Sequence, residues 1–346
     1  MACAACEAPP EVSDPPPGRI DFHAHARLDS PYVDFPALNA AMAAHDVTSA
    51  VFSPSPNPLE GLVGMGMDTI DHEAFFLDHP IGGMLYGGTE LVPLLHAAGR
   101  TPPFTPETFF PHGPPDGLTV GQLEEMTDEM NTLAADLETC EAEFERRASQ
   151  AAESGRYAGF GELAPTHEAR RPGHPYIVYP ADHPWMLRLS DLAAAHGMFL
   201  DVHLDAGEAE VRELERLLEH ERATRIVWEH AGWGPSGYPT PAVLAGLLEE
   251  HPNLYLGLKL RYEADADPAA WPLAEDGTLE PDWRALLEGW PDRIVLGGDL
   301  HYWQDDTPAD DAFAEAFGLA DTVLDQLDDD VRRAIEYGTA ESLLAR

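Results

Sequence analysis

From Arg19 onward, short apolar runs alternate with stretches of helical periodicity, the rhythm of repeated βα units. The runs predict strands at Arg19–His25, Thr48–Ser53, Ile81–Tyr86, Tyr157–Leu163, Met198–Leu204, Arg225–His230, Asn253–Leu260 and Arg293–Asp299. Helical patterns follow most of them, as in Pro184–His196, Glu208–Glu221, Pro241–Glu250 and Asp329–Leu344. Eight strands with helices between them predict an α/β fold, a (β/α)8 TIM barrel with loop insertions over the C-terminal mouth. A single such barrel is expected to occupy residues 19–346.

Three stretches depart from this rhythm. Leu123, Met126, Met130, Leu133, Leu137, Cys140 and Phe144 alternate spacings of three and four, which predicts one long helix with an apolar seam. The seam is expected to pack on the barrel or, in a homo-oligomer, on a partner subunit. The Pro- and Phe-rich segment Gly87–Leu118 lacks periodicity and reads as a cap over the mouth, with Gly61–Met67 as a second loop there. Residues 1–18 are Pro-rich, acidic and without pattern, hence a flexible linker.

Charge narrows the setting more than the fold. Asp and Glu number 62 against 20 Lys plus Arg, a formal net of −42. Such a field repels nucleic acid and anionic membranes. The acids are spread along the whole chain, so we expect a protein adapted to high salt, where screening relieves the self-repulsion. Three cysteines exclude a disulfide framework, and Cys3 with Cys6 form a lone CxxC without a second pair. No apolar run is long enough for a transmembrane segment or a signal peptide, which predicts a soluble, cytoplasmic protein. If Cys6 instead marks the remnant of a lipoprotein processing site, the protein is exported and lipid-tethered.

The strand ends carry residues suited to metal binding. Strand one ends in DFHAH with His23 and His25, and strand four in FGEL with Glu162. Strand five ends in DVHLD with His203, strand six in WEHAGWG with His230, and strand eight in LGGDLHYW with Asp299. C-terminal strand ends of this fold converge on one rim, where active sites lie. Nitrogen and oxygen ligands gathered there suit a borderline divalent metal such as zinc, with manganese or iron as alternatives. Alternation supports the idea, because successive side chains on a strand face opposite ways. Met198, Leu200, Val202 and Leu204 oppose Phe199, Asp201 and His203; Ile20, Phe22 and Ala24 oppose Asp21, His23 and His25; Ile294 and Leu296 oppose Val295 and Asp299.

This constellation resembles the metal-dependent amidohydrolase superfamily, and within it the amidohydrolase-related branch that also contains decarboxylases, hydratases and lactonases. GHPYIVYPADHP, IVWEHAGWG, HPNLYLGLKLR, GTLEPDW, PDRIVLGGDLHYW and TAESLL resemble the uncharacterised hydrolases of that branch. The resemblance implies that His23, His25 and Asp299 hold one metal, and that His203 and His230 hold a second with Glu162 bridging. Single-metal members use only the HxH pair, the strand-five histidine and the strand-eight aspartate; His230 would then orient the carbonyl oxygen and Glu162 would stand behind the ligands. Either way it implies hydrolysis of a C–O or C–N bond in a small molecule, with Asp299 as general acid–base. The alternative on the same site is non-oxidative decarboxylation. A Walker lysine and a dinucleotide fingerprint are both absent, so no nucleotide cofactor is expected.

One further residue stands out. The chain contains a single lysine, Lys259, in the leucine-rich run NLYLGLKLRY. Leu254, Leu256, Leu258 and Leu260 share one face of strand seven; Tyr255, Gly257 and Lys259 share the other. Alternation therefore aims Lys259 into the mouth beside Asp299. A structural ion pair is one reading. The preferred one is a clamp for a substrate carboxylate or carbonyl oxygen.

Overall fold

The computed structural model describes residues 18–25, 35–56, 81–115, 118–169, 171–231, 239–259, 271–301 and 309–345. The N-terminal linker, apart from Gly18, and the Gly61–Met67 loop lie outside them. Parallel strands β1 (Arg19–His25), β2 (Val47–Ser53), β3 (Ile81–Gly87) and β4 (Gly159–His167) come first. A short strand β5 (Ile177–Val178) folds back antiparallel on β4. Strands β6 (Phe199–Leu204), β7 (Arg225–Glu229), β8 (Leu254–Leu258), β9 (Ile294–Leu296) and β10 (Leu300–His301) follow. Their order, β10-β1-β2-β3-β4-β6-β7-β8-β9, is that of a (β/α)8 barrel whose eighth strand is split in two. The first part, β9, pairs with β8, and the second, β10, pairs with β1.

Helices α1 (Phe35–Ala44), α2 (Gly88–Gly99), α3 (Pro106–Phe109), α4 (Val120–Ala135) and α5 (Leu137–Ser154) lie in the first half. The second half adds α6 (Pro184–His196), α7 (Glu208–His220), α8 (Pro241–Glu250), α9 (Pro281–Gly289) and α10 (Ala309–Leu324). Each barrel helix turns one stripe to the strands; α7, for example, buries Val211, Leu214, Leu217 and Leu218. The chain ends in α11 (Asp329–Arg333) and α12 (Thr339–Leu344), joined by a π-helical turn at Ala334–Gly338. Ala340 and Leu343 of α12 pack against the interior cluster, closing the barrel floor.

The expected long third helix is two helices. Asp136 leaves helical geometry, and its carboxylate caps α5 by accepting from the Thr139 N–H at 3.2 Å. The two halves of the seam serve different cores: Leu123, Met126 and Met130 pack with Phe104, Phe109 and Phe110, whereas Cys140 and Phe144 join the main core. Leu137, at the junction, is exposed. A period of three and four is continuous across such a break, so the pattern alone could not reveal it. What the structure shows of Gly87–Leu118 is α2, α3 and phenylalanines packed among α2 and α4 in the helix layer.

Strand one also departs from simple alternation. Between Asp21 and Ala24, β1 advances three residues while β2 advances two, from Ala50 to Phe52. This bulge switches the parity. Below it Ile20 and Phe22 face the interior, where Phe22 meets Phe199 at 5.4 Å between ring centroids. Asp21 instead accepts a hydrogen bond from the Gly298 N–H at 2.7 Å. Above the bulge His23 and His25 turn inward.

Candidate metal centre

Each donor reaches the centre by a different local device. His23 and His25 alternate on β1 above its bulge. Glu162 lies on β4 where the pairing with β6 is irregular on both sides of Leu163. His203 follows the regular alternation of β6. His230 and Asp299 come after the last regular residue of β7 and β9, and both adopt left-handed backbone, with φ of 54° and 49°. By parity His230 would face the helices; the left-handed turn returns it to the barrel. Asp299 sits at the split of strand eight, where its N–H donates to the His23 carbonyl at 2.9 Å. Gly297 permits that approach, because a Cβ there would stand 2.6 Å from the His23 Cβ.

The side chains converge. Nδ1–H of His25 donates to the Ser53 carbonyl at 3.0 Å, which leaves Nε2 as the lone-pair nitrogen. That Nε2 lies 3.2 Å from Asp299 Oδ1 and 3.6 Å from Glu162 Oε2. Nε2 of His23 lies 3.7 Å from Glu162 Oε2 and 3.9 Å from Asp299 Oδ1. His203 turns Nδ1 to Glu162 Oε1 at 2.8 Å and Nε2 to Asp205 Oδ2 at 3.3 Å. The His230 ring stands 5.0 Å from that of His23 and 4.9 Å from that of His203. Lys259 Nζ lies 2.6 Å from Asp299 Oδ2, on the side that alternation along strand seven indicated.

Four overlapping sets have donor atoms all within 4.8 Å of one another: His23, His25 and Glu162; His23, His230 and Asp299; Glu162, His203 and His230; and His23, Asp201 and Glu229. Several of these donors are buried without a hydrogen-bond partner, namely His23 Nδ1 and Nε2, Glu162 Oε2 and His230 Nδ1. Buried polar groups are otherwise nearly always paired. Mixed imidazole and carboxylate donors left in this state fit a divalent cation, and Glu162 is common to two of the sets.

The electrostatics agree. Burial works against charge on His23 and His203, yet the carboxylates outweigh it. Glu162, then Asp201 and Asp299, raise His23 to about 9; Asp205 and Glu162 raise His203 to about 10. Glu162 itself stays well below the usual carboxylate range against the pull of burial, chiefly through His23 and His203. Asp299 does so through Lys259 and His25. Burial favours neutral His230, in which one ring nitrogen keeps an available lone pair. The cavity thus demands positive charge, which protons on two histidines supply when no ion does.

Three acidic residues beside the donors had no assigned role from sequence. Asp205 receives the far nitrogen of His203 and is itself fixed by the Glu168 N–H at 2.8 Å. Asp201 and Glu229 lie beneath His23, 3.7 and 3.9 Å from its Nδ1. Burial and the neighbouring Asp201 push the Glu229 carboxyl well above the usual carboxylate range. Gly257 makes room for it, since a Cβ there would fall 2.0 Å from Glu229 Oε2. The signal was present: alternation along DVHLD carries 201 and 203 on to 205, and along RIVWE it carries Val227 on to Glu229. His167 was also missed; its ring lies 4.8 Å from that of His203.

A parallel barrel with a buried ring of histidines and acids at its C-terminal rim has the form of a metal-dependent enzyme. The amidohydrolase family model matches residues 128–346, and the chain belongs to that family. The match includes Glu162, His203, His230, Lys259 and Asp299; the HxH pair precedes it. In structure the chain is similar to amidohydrolase 2 from Bifidobacterium longum subsp. infantis, at 14% identity and TM-score 0.43, covering 94% of this chain and 98% of that one. It is also similar to N-acyl-D-glutamate deacylase from Bordetella bronchiseptica, complexed with zinc and a phosphonate inhibitor, at 15% and 0.47, covering 95% and 74%. A third is dihydroxybenzoic acid decarboxylase from Polaromonas sp. JS666 with bound manganese, at 12% and 0.36, covering 94% and 96%. No curated protein matches the sequence. Family membership makes the protein a hydrolase-like enzyme of amidohydrolase type. Among the described residues no helix is long and apolar enough to cross a membrane.

Proposed function

We propose that this enzyme hydrolyses a lactone, ester or amide, cleaving a C–O or C–N bond in a small molecule that carries a carboxylate or carbonyl group. In this reading His23, His25 and Asp299 would hold one divalent ion and His203 and His230 a second, with Glu162 available to either. The observation that carries it is the set of buried, unpartnered donor atoms on His23, Glu162 and His230. Zinc suits this donor set best. When bound, a divalent ion supplies Lewis acidity, polarising a carbonyl and making water acidic near neutral pH.

The chain's own residues do the rest. Asp299 turns Oδ1 to the histidines and Oδ2 to Lys259. Its low proton affinity keeps it ionised at rest, so that it carries a proton only in passing, from the attacking water to the leaving group. Lys259 compensates that charge and presents a compact cation at the mouth, where it clamps the substrate's carboxylate or carbonyl oxygen. Neutral His230 contributes a lone pair.

The test is chelation, then restoration with zinc, manganese or iron at high salt, against a panel of lactones, esters, amides and carboxylates. Metal-dependent product carrying an oxygen from solvent is expected. Carbon dioxide release without solvent oxygen would instead identify a decarboxylase, and turnover surviving complete metal removal would overturn the metal-dependent reading.

A further inference from the structure

Three more donors meet at the opposite end of the barrel. Helices of a βα barrel run back against their strands, so the C-terminal end of α8 lies beside the start of β8. His251 directly follows α8 there. Its residue surface is 2% exposed, yet neither ring nitrogen has a hydrogen-bond partner. Nε2 faces Glu215 Oε1 of α7 at 3.8 Å, beyond hydrogen-bond reach. Glu250, the last residue of α8, adds a second carboxylate, and donor atoms of Glu215, Glu250 and His251 all lie within 4.8 Å of one another.

This arrangement is poorly explained as packing. A buried imidazole with neither nitrogen paired is costly, and this one is aimed at two acids without touching them. The separation matches ligands spaced around a shared ion. The end of α8 adds the partial negative charge of a helix C-terminus. The nearby cation, Arg293, is directed to the carbonyls of His251 and Leu254 and to the face of the Tyr255 ring.

We propose that Glu215, Glu250 and His251 form a separate metal site on the floor rim. An imidazole with two carboxylates favours a transition ion such as zinc or manganese over magnesium or calcium. Water completes the coordination, because Glu250 is exposed and the Glu215 side chain is 32% exposed. The ion joins α7 to the turn between α8 and β8. Its role is structural, and the site stands independently of the chemistry at the mouth.

Equilibrium dialysis of metal-free protein against micromolar free zinc tests this. Glu215→Gln, Glu250→Gln and His251→Gln should each retain one equivalent fewer than the wild type. The glutamate variants guard against misfolding, since only His251 is buried. A His23→Ala/His25→Ala protein, depleted at the mouth, should still hold the rim equivalent. Zinc should also raise the wild-type unfolding temperature more than that of Glu215→Gln. Equal stoichiometry in the wild type and both glutamate variants overturns the site, as does rim occupancy only at millimolar zinc.

Discussion

The floor and the mouth of the barrel interior are built on opposite terms. The floor is apolar: Ile20, Phe22, Val51, Leu85, Phe199, Val227 and Val295 fill it, and α12 closes it from below. The mouth buries histidines and acids, several of them unpartnered. Such groups cost about 1–3 kcal/mol each when left unsatisfied, so the floor contributes stability that the mouth consumes. Their backbones differ too. Val227 and Phe199 sit on regular strand, whereas the mouth relies on a bulge, an irregular β4 and two left-handed residues. Most of the candidate donors gather where the regular ladder has been given up; His203, on the regular β6–β7 ladder, does not.

If the two regions are separable, mutations should divide cleanly. Asp299→Asn should lower kcat by about 10²–10⁴-fold while the unfolding midpoint changes little. An Asp299→Asn enzyme with unaltered kcat would remove the proposed proton carrier and much of the contrast. On the other side, Phe199→Ala should cost about 3–5 kcal/mol of stability, read by denaturant unfolding, with metal stoichiometry intact. A folded Phe199→Ala protein that had lost its metal would show that the floor sets the mouth's geometry.

The same divide explains what could be read from the sequence. Barrel, strand count and the facing of Lys259 were legible because alternation survives on regular strand. So was the gathering of histidines and acids at one rim, because C-terminal strand ends converge in this fold. Parity on strand one was misread, since a bulge leaves no mark in a seven-residue run. His230 was found by residue type alone, while the residue its strand actually points inward, Glu229, went without a role. The break at Asp136 was hidden for a related reason: the apolar period continues while the backbone does not. The sequence records which side chains are buried more faithfully than it records where the backbone bends.

A third prediction concerns protons at the mouth. Without metal, the surrounding acids raise His23 to about 9 and His203 to about 10 in the folded chain, against 6.5 for the ordinary group. Raised values mean stabilisation that is fully present below 6.5 and lost as pH climbs through 9 to 10. Metal-free protein should therefore lose about 1.4 kcal/mol per pH unit for each histidine across that window. Metal displaces these protons, so its affinity should rise about tenfold per pH unit for each proton displaced, up to pH ~9. Urea unfolding of chelated protein and zinc titrations from pH 7 to 9 measure both. A flat profile in each would mean that the acids at the mouth do not hold the histidines charged.

The smallest expected effect tests how the mouth keeps its order without an apolar core. Asp205 accepts from His203 Nε2 and so leaves Nδ1 to face Glu162. If His203 is a ligand through Nδ1, Asp205→Asn should weaken zinc binding by about 10–100-fold with little change in fold. Asp205 also leads the interactions that raise His203, so its removal should move the upper part of the pH dependence downward. Both changes together identify a positioning role, because mere loss of packing would lower stability without shifting the titration. Unchanged zinc affinity in Asp205→Asn would mean that the orientation of His203 is fixed by Glu162 alone, and that the acids surrounding the ring of donors are dispensable to it.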